Sequence, residues 1–148
     1  MSTRTVFRIA VGSAIMLFML AGVANADGNA GIKNYFNSAV REVKTAESPS
    51  QKREILDNSL NKMSKALDIV QSSPLISEKD RPGLERFKKA LREKQDELTG
   101  NNGFKRIPDV QLDAFSDYVL QDMEQAEKYV TISITTLLLA AILLVLLV

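Results

Sequence analysis

Residues 130–148 form an unbroken run without a charged side chain, and its last twelve positions, from Leu137 to Val148, are all Leu, Ile, Val or Ala. As an α-helix a run of that length spans roughly 28 Å, close to the roughly 30 Å of a bilayer's hydrocarbon core. The sequence therefore predicts a C-terminal transmembrane helix, with Thr135, Leu137, Leu138, Leu139, Ile142, Leu143, Leu144, Leu146 and Leu147 as its membrane-embedded residues. The competing reading is a buried core helix, which needs partners on all sides that the polar-rich middle of the chain is ill suited to supply. No Lys or Arg follows the run. Three readings of the tail stay open: a simple anchor, a processed lipid-anchor signal, or self-association within the bilayer.

The N-terminus points the same way. Arg4 and Arg8 precede an apolar stretch over residues 9–23, and Ala24-Asn25-Ala26 places small residues where a signal peptidase reads them. Residues 1–26 are read as a secretory signal peptide, with an uncleaved first membrane helix as the alternative. The expectation is a protein held in a membrane by one pass of its C-terminal helix, with the intervening domain extracytoplasmic, periplasmic in a bacterium.

Residues 27–129 carry apolar side chains at helical spacing and almost no strand-like alternation. Ile32, Phe36, Ala39, Val43 and Ala46 step by four and three, as do Leu56, Leu60, Met63, Leu67 and Val70. Leu84, Phe87, Leu91 and Leu98 make a third stripe in which Lys94 takes one seam position and is expected to snorkel to water. Val110, Leu112, Phe115, Val119, Met123 and Ala126 make a fourth. Ser48-Pro49-Ser50-Gln51 has the form of a capping box with proline at the first helical position, and Gly100 suits a helix C-terminus. The predicted fold is all-α: an up-down-up-down antiparallel bundle of about four helices. With no Gly or Pro after Pro108, the last helix is expected to continue directly into the membrane. That topology sets residue 27 at the membrane and the loop 100–107 at the distal tip. Leu75 and Ile76 would rest on the lipid interface or act as a hydrophobic staple.

Chemistry is constrained by what is missing. The chain has no Cys and no His, which removes thiol nucleophiles, imidazole catalysis and Cys/His metal sites, and a net charge of +1 argues against nucleic acid as a partner. No phosphate-binding glycine loop and no calcium-loop pattern occurs, so no enzyme activity, metal or cofactor is expected. Two clusters stand out as partner-binding candidates. Asp109, Asp113 and Asp117 line one face of the fourth helix, either as a docking strip or weak cation site or as acids favoured near a helix N-terminus. Phe104, Lys105 and Arg106 place an aromatic and two cations in the loop between helices three and four, where the alternative is that Phe104 and Ile107 fold back over the bundle end. Helices three and four carry opposite charges expected to fix their mutual register. The function expected is a membrane-anchored scaffold, adaptor or accessory subunit of a cell-envelope complex, with a protein partner or homo-oligomer beside the lipid bilayer. The alternative is a small-ligand or cation-binding module using the acidic strip.

Overall fold

Steps of four and three put apolar side chains on one face per helix, and those faces meet in a single core. The computed structural model describes residues 31–130 and 132–147, and five α-helices occur in them: α1 Gly31–Thr45, α2 Pro49–Gln71, α3 Arg81–Thr99, α4 Leu112–Glu127 and α5 Ile132–Leu147. No strand is found among the described residues. Ile32, Phe36, Val43, all five seam residues of α2, and Leu84, Phe87, Leu91, Leu98, Leu112, Phe115, Val119 and Met123 are buried together. Helix α1 packs on α2 and α4, and α3 packs on the same two helices, which closes a four-helix ring. Lys33 near the start of α1 meets Glu124 near the end of α4 at 3.3 Å, and Arg53 near the start of α2 meets the Leu98 carbonyl near the end of α3 at 3.1 Å, so both pairs run antiparallel.

Local signals set several boundaries. Ser48 Oγ accepts from the Gln51 amide at 3.2 Å while Gln51 Oε1 accepts from the Glu47 amide at 3.0 Å, so α2 starts on a reciprocal cap around Pro49. Helix α3 ends at Gly100, whose φ of 78° is left-handed and whose amide donates to Asp96 O at 2.8 Å. The fourth helix opens with a short 3-10 turn, Asp109–Gln111. That tighter winding takes Val110 out of phase with the seam, so it is 93% exposed instead of joining the core.

The C-terminal segment departs from expectation. Helix α4 does not run on into the apolar segment. It winds down through three short-range bonds, Lys128 N to Gln125 O, Tyr129 N to Ala126 O and Val130 N to Glu127 O, at 3.3, 3.1 and 3.0 Å. The chain then turns, and α5 packs chiefly on α2 and lightly on α1. Two residues of α3 hold the turn. A Cβ on Gly83 would collide with the Tyr129 carbonyl oxygen, so only glycine admits the backbone there, and the Arg86 guanidinium lies 4.9 Å from the centre of the Tyr129 ring.

The expected transmembrane helix is thereby corrected. Among the described residues no helix is long and apolar enough to cross a membrane, and the sixteen residues of α5 span only about 24 Å. Of the residues expected to face lipid, Thr135, Leu138, Leu139 and Ile142 are buried against the protein, Leu137, Leu143 and Leu146 are half-buried, and Leu144 and Leu147 remain exposed. The single-pass location fails with the helix that carried it, as does the lipid contact of Leu75 and Ile76, of which Ile76 is a core residue and Leu75 is solvent-exposed. The physical reason is that an uncharged helix must leave water but can do so against any apolar surface, and α1 and α2 provide one. Gly31 is part of that surface, since a Cβ there would run into the Leu139 side chain. The signal peptide expected over residues 1–26 lies outside the described residues.

Candidate functional site

The acidic strip stays at the surface, its three side chains half exposed, and each carboxylate is paired with a cation of a neighbouring helix. Asp109 pairs with Arg53 at 2.8 Å, Asp113 with Lys52 at 2.6 Å and Asp117 with Lys44 at 2.9 Å. The i, i+4 repulsion along the strip is thus answered by one cation per carboxylate, drawn from α1 and α2. The expected charge contact between helices three and four is made by Lys94 and Asp122, at 2.8 Å, and not by the strip, whose aspartates pair with α1 and α2. Among the described residues no group of three or more potential ligands is placed to hold a metal ion.

Arg53 anchors the distal end. Its Nη1 donates to Leu98 O at 3.1 Å, and its Nη2 donates to Ile107 O at 2.7 Å and to Asp109 Oδ1 at 2.8 Å. One largely buried guanidinium therefore ties α2 to the end of α3, to the loop and to the start of the fourth helical segment. The loop is ordered by its own polar groups as well: the Asn101 amide donates to Asp96 O at 3.0 Å, Asn102 Nδ2 to Asp96 Oδ2 at 2.9 Å, and the Phe104 amide to Asn101 O at 3.1 Å. Of the two apolar residues expected to fold back, Ile107 packs against the core while Phe104 stays 40% exposed. Lys105 and Arg106 are exposed, and no ion pair to either is found among the described residues. Phe104, Lys105 and Arg106 are thus presented on a loop held in place by Arg53, and Val110 on the 3-10 turn that follows it.

Two further features concern buried charge. Lys94 does not snorkel: it is 1% exposed, its Nζ lies 2.7 Å from Glu97 and 2.8 Å from Asp122, and it sits 3.7 Å from the centre of the Tyr118 ring. Burial pushes the ammonium down, but the bonds to Asp122, Glu97 and Tyr118 more than reverse this, so its pKa is raised above the ordinary lysine value. The ammonium itself is sealed inside the network, while Asp122 and Tyr118 keep part of their surface in water. Burial pushes the carboxyls of Glu42 and Glu127 up to about 7 from 4.5; Lys62 opposes the shift at Glu42, while at Glu127 the neighbouring Glu124 adds to it and Lys33 opposes it. Oε1 of Glu127 is buried without a hydrogen-bond partner, one residue before the turn into α5.

Sequence reasoning found the distal loop and the strip but not Arg53, Lys44 or Lys52, whose partners lie far away in the chain. It also passed over Gly83, and it read Arg86 as part of a solvated, salt-bridged face, not as a partner of the Tyr129 ring. A glycine in the third position of a helix otherwise rich in strong helix formers was the available sign of close packing. No protein-family model, curated protein or solved structure matches the chain.

Proposed function

We propose that this protein is a helical scaffold or adaptor, an antiparallel up-down-up-down bundle closed by a fifth helix, that works through protein–protein contacts at its distal loop. The observation that carries this reading is the contrast between the loop and the rest of the polar surface. The acidic strip and Lys94 are engaged in ion pairs within the chain, whereas Lys105 and Arg106 are exposed with Phe104 on a braced loop, and Val110 is exposed in the 3-10 turn that follows it. An aromatic and an aliphatic side chain flanked by two cations suit a partner that presents acidic groups around an apolar depression, since charge complementarity sets orientation and apolar contact supplies most of the affinity. A cation-binding role for the strip gains no support from this arrangement, because each of its aspartates already has a cation.

The test is affinity capture with the full chain and with a Phe104→Glu, Lys105→Glu, Arg106→Glu variant. Proteins held by the parent and lost by the variant, at unchanged helicity, support the reading. Capture that is indifferent to these substitutions, or a melting temperature raised by millimolar calcium or magnesium, overturns it.

A further inference from the structure

We propose that the Glu127 carboxyl is a proton-operated latch on α5: protonated, it stays seated at the α4–α5 turn, and on losing its proton it opens the turn and frees α5 from α2. A step of four from the buried Met123 sets Glu127 toward the inner side of α4, at the last residue of that helix. There its Oε1 is buried with no hydrogen-bond partner. A protonated carboxyl tolerates such a place. A carboxylate spreads its charge over both oxygens and needs donors or water at each.

The surrounding charges do not meet that need. Lys33 on α1 attracts the carboxylate but is held by Glu124 at 3.3 Å, and Glu124, one turn back on α4, repels it. Lys128 reaches Gln125 at 3.4 Å. At this end of α2 and α3, Asp68 pairs with Lys88 at 3.1 Å, Glu78 pairs with Arg81 at 3.4 Å, Glu85 accepts from Gln71, and Arg86 lies against the Tyr129 ring. Helix α5 has no ionisable side chain. Burial first and Glu124 second therefore push the carboxyl up to about 7 from 4.5, against the pull of Lys33.

An ionised Glu127 gains water by the least costly opening, and the turn is that opening. Residues 128–130 are held by three short-range bonds, the last of which the Glu127 carbonyl itself accepts from Val130 at 3.0 Å, so movement at Glu127 passes straight into the turn. The tight seat of the Tyr129 carbonyl against Gly83 leaves the turn no alternative docked position. Beyond it α5 adds contacts chiefly to α2, while α1–α4 close on one another without it, so release is local. The docked form keeps its proton up to about pH 7 and the released form only to about 4.5. Opening therefore grows more frequent as pH rises between those values and levels off above them. The latch does not involve the distal loop, and its failure would leave the adaptor reading untouched.

Hydrogen exchange of the full chain, followed by mass spectrometry and corrected for the chemical exchange rate at each pH, tests this. Protection over residues 132–147 is expected to fall about fivefold from pH 5 to pH 8, while protection over residues 84–98 of α3 falls less. Glu127→Gln is expected to abolish the extra fall in α5, and Glu42→Gln, near the other end of α1, to leave it in place. Lys33→Met alters an exposed side chain and removes the attracting charge, so it is expected to carry the fall to higher pH. Protection of α5 that does not change with pH, or that falls in step with α3, would overturn the latch. So would a fall that survives Glu127→Gln, vanishes in Glu42→Gln or ignores Lys33→Met.

Discussion

The carboxylate of Asp122 on α4 lies 2.8 Å from the ammonium of Lys94 on α3, and it compensates a charge that is otherwise sealed from water. The two partners are unequally exposed: the side chain of Lys94 is 2% accessible, that of Asp122 34%. Removing one or the other should therefore have unequal costs. Asp122→Ala leaves a buried cation with Glu97 alone and is expected to cost about 2–3 kcal/mol. Lys94→Met leaves carboxylates that can turn to water and fills the seam with an apolar side chain, for a cost of about 1 kcal/mol or less. Urea unfolding of both variants measures the asymmetry; equal losses would mean that the network is not desolvated.

Gly83 reverses an ordinary rule. In a free helix Gly→Ala stabilises by about 1 kcal/mol. Here the added methyl meets a backbone oxygen at Tyr129, which cannot swing aside as a side chain can. Gly83→Ala is expected to destabilise the fold by about 2 kcal/mol and to speed amide exchange through α5, as the turn over residues 128–130 is displaced. Gly31→Ala meets only the Leu139 side chain and should cost less. Exchange followed by mass spectrometry distinguishes the two.

The three rungs of the acidic strip differ in worth. Arg53 and Lys52 are largely buried, with side-chain accessibilities of 17% and 18%, whereas Lys44 is 47% exposed. Lys44→Ala is expected to change stability by less than about 0.5 kcal/mol. Arg53→Met strands two carbonyls as well as Asp109 and should cost about 2 kcal/mol. It should also release the loop 100–108, seen as faster proteolysis there.

Acid should stabilise this fold over part of its range. Glu42 and Glu127 have carboxyls raised to about 7 from 4.5 in the folded state, so between those values the folded chain holds protons that the unfolded chain has lost. Stability is then fully present below about pH 4.5 as far as these groups are concerned, and falls as pH climbs through 7. With both groups in partial contact with water, the change is on the order of 1 kcal/mol for each, or a few degrees in melting temperature. A melting temperature higher at pH 5 than at pH 8, with the difference reduced in Glu127→Gln, is the expected result. A flat profile would place both carboxyls in water.

What could be read from the chain and what could not divides along one line. Features decided within a few residues were legible: the α2 seam from Leu56 to Val70, the Ser48 cap and the Gly100 terminus depend on spacing and local hydrogen bonds. Val110 was misjudged because a single 3-10 turn, invisible in apolar spacing, rotates it outward. Lys94 could be placed on the seam, and Glu97 lies within reach on the same helix, but Asp122 becomes its neighbour only when α4 packs. The acidic strip was visible and its three cations were not, for the same reason. The C-terminal helix is the largest departure. Its composition demands an apolar surrounding, and only the surface of α1 and α2 determines which one it finds.

Because α5 meets the other helices chiefly through α2, its release would leave the ring of α1–α4 closed and bare only the outer flank of α2. Partial opening of this fold therefore uncovers an apolar flank while the central core stays shut, and that opened form, rather than the intact one, is what chaperones and aggregating neighbours would meet first.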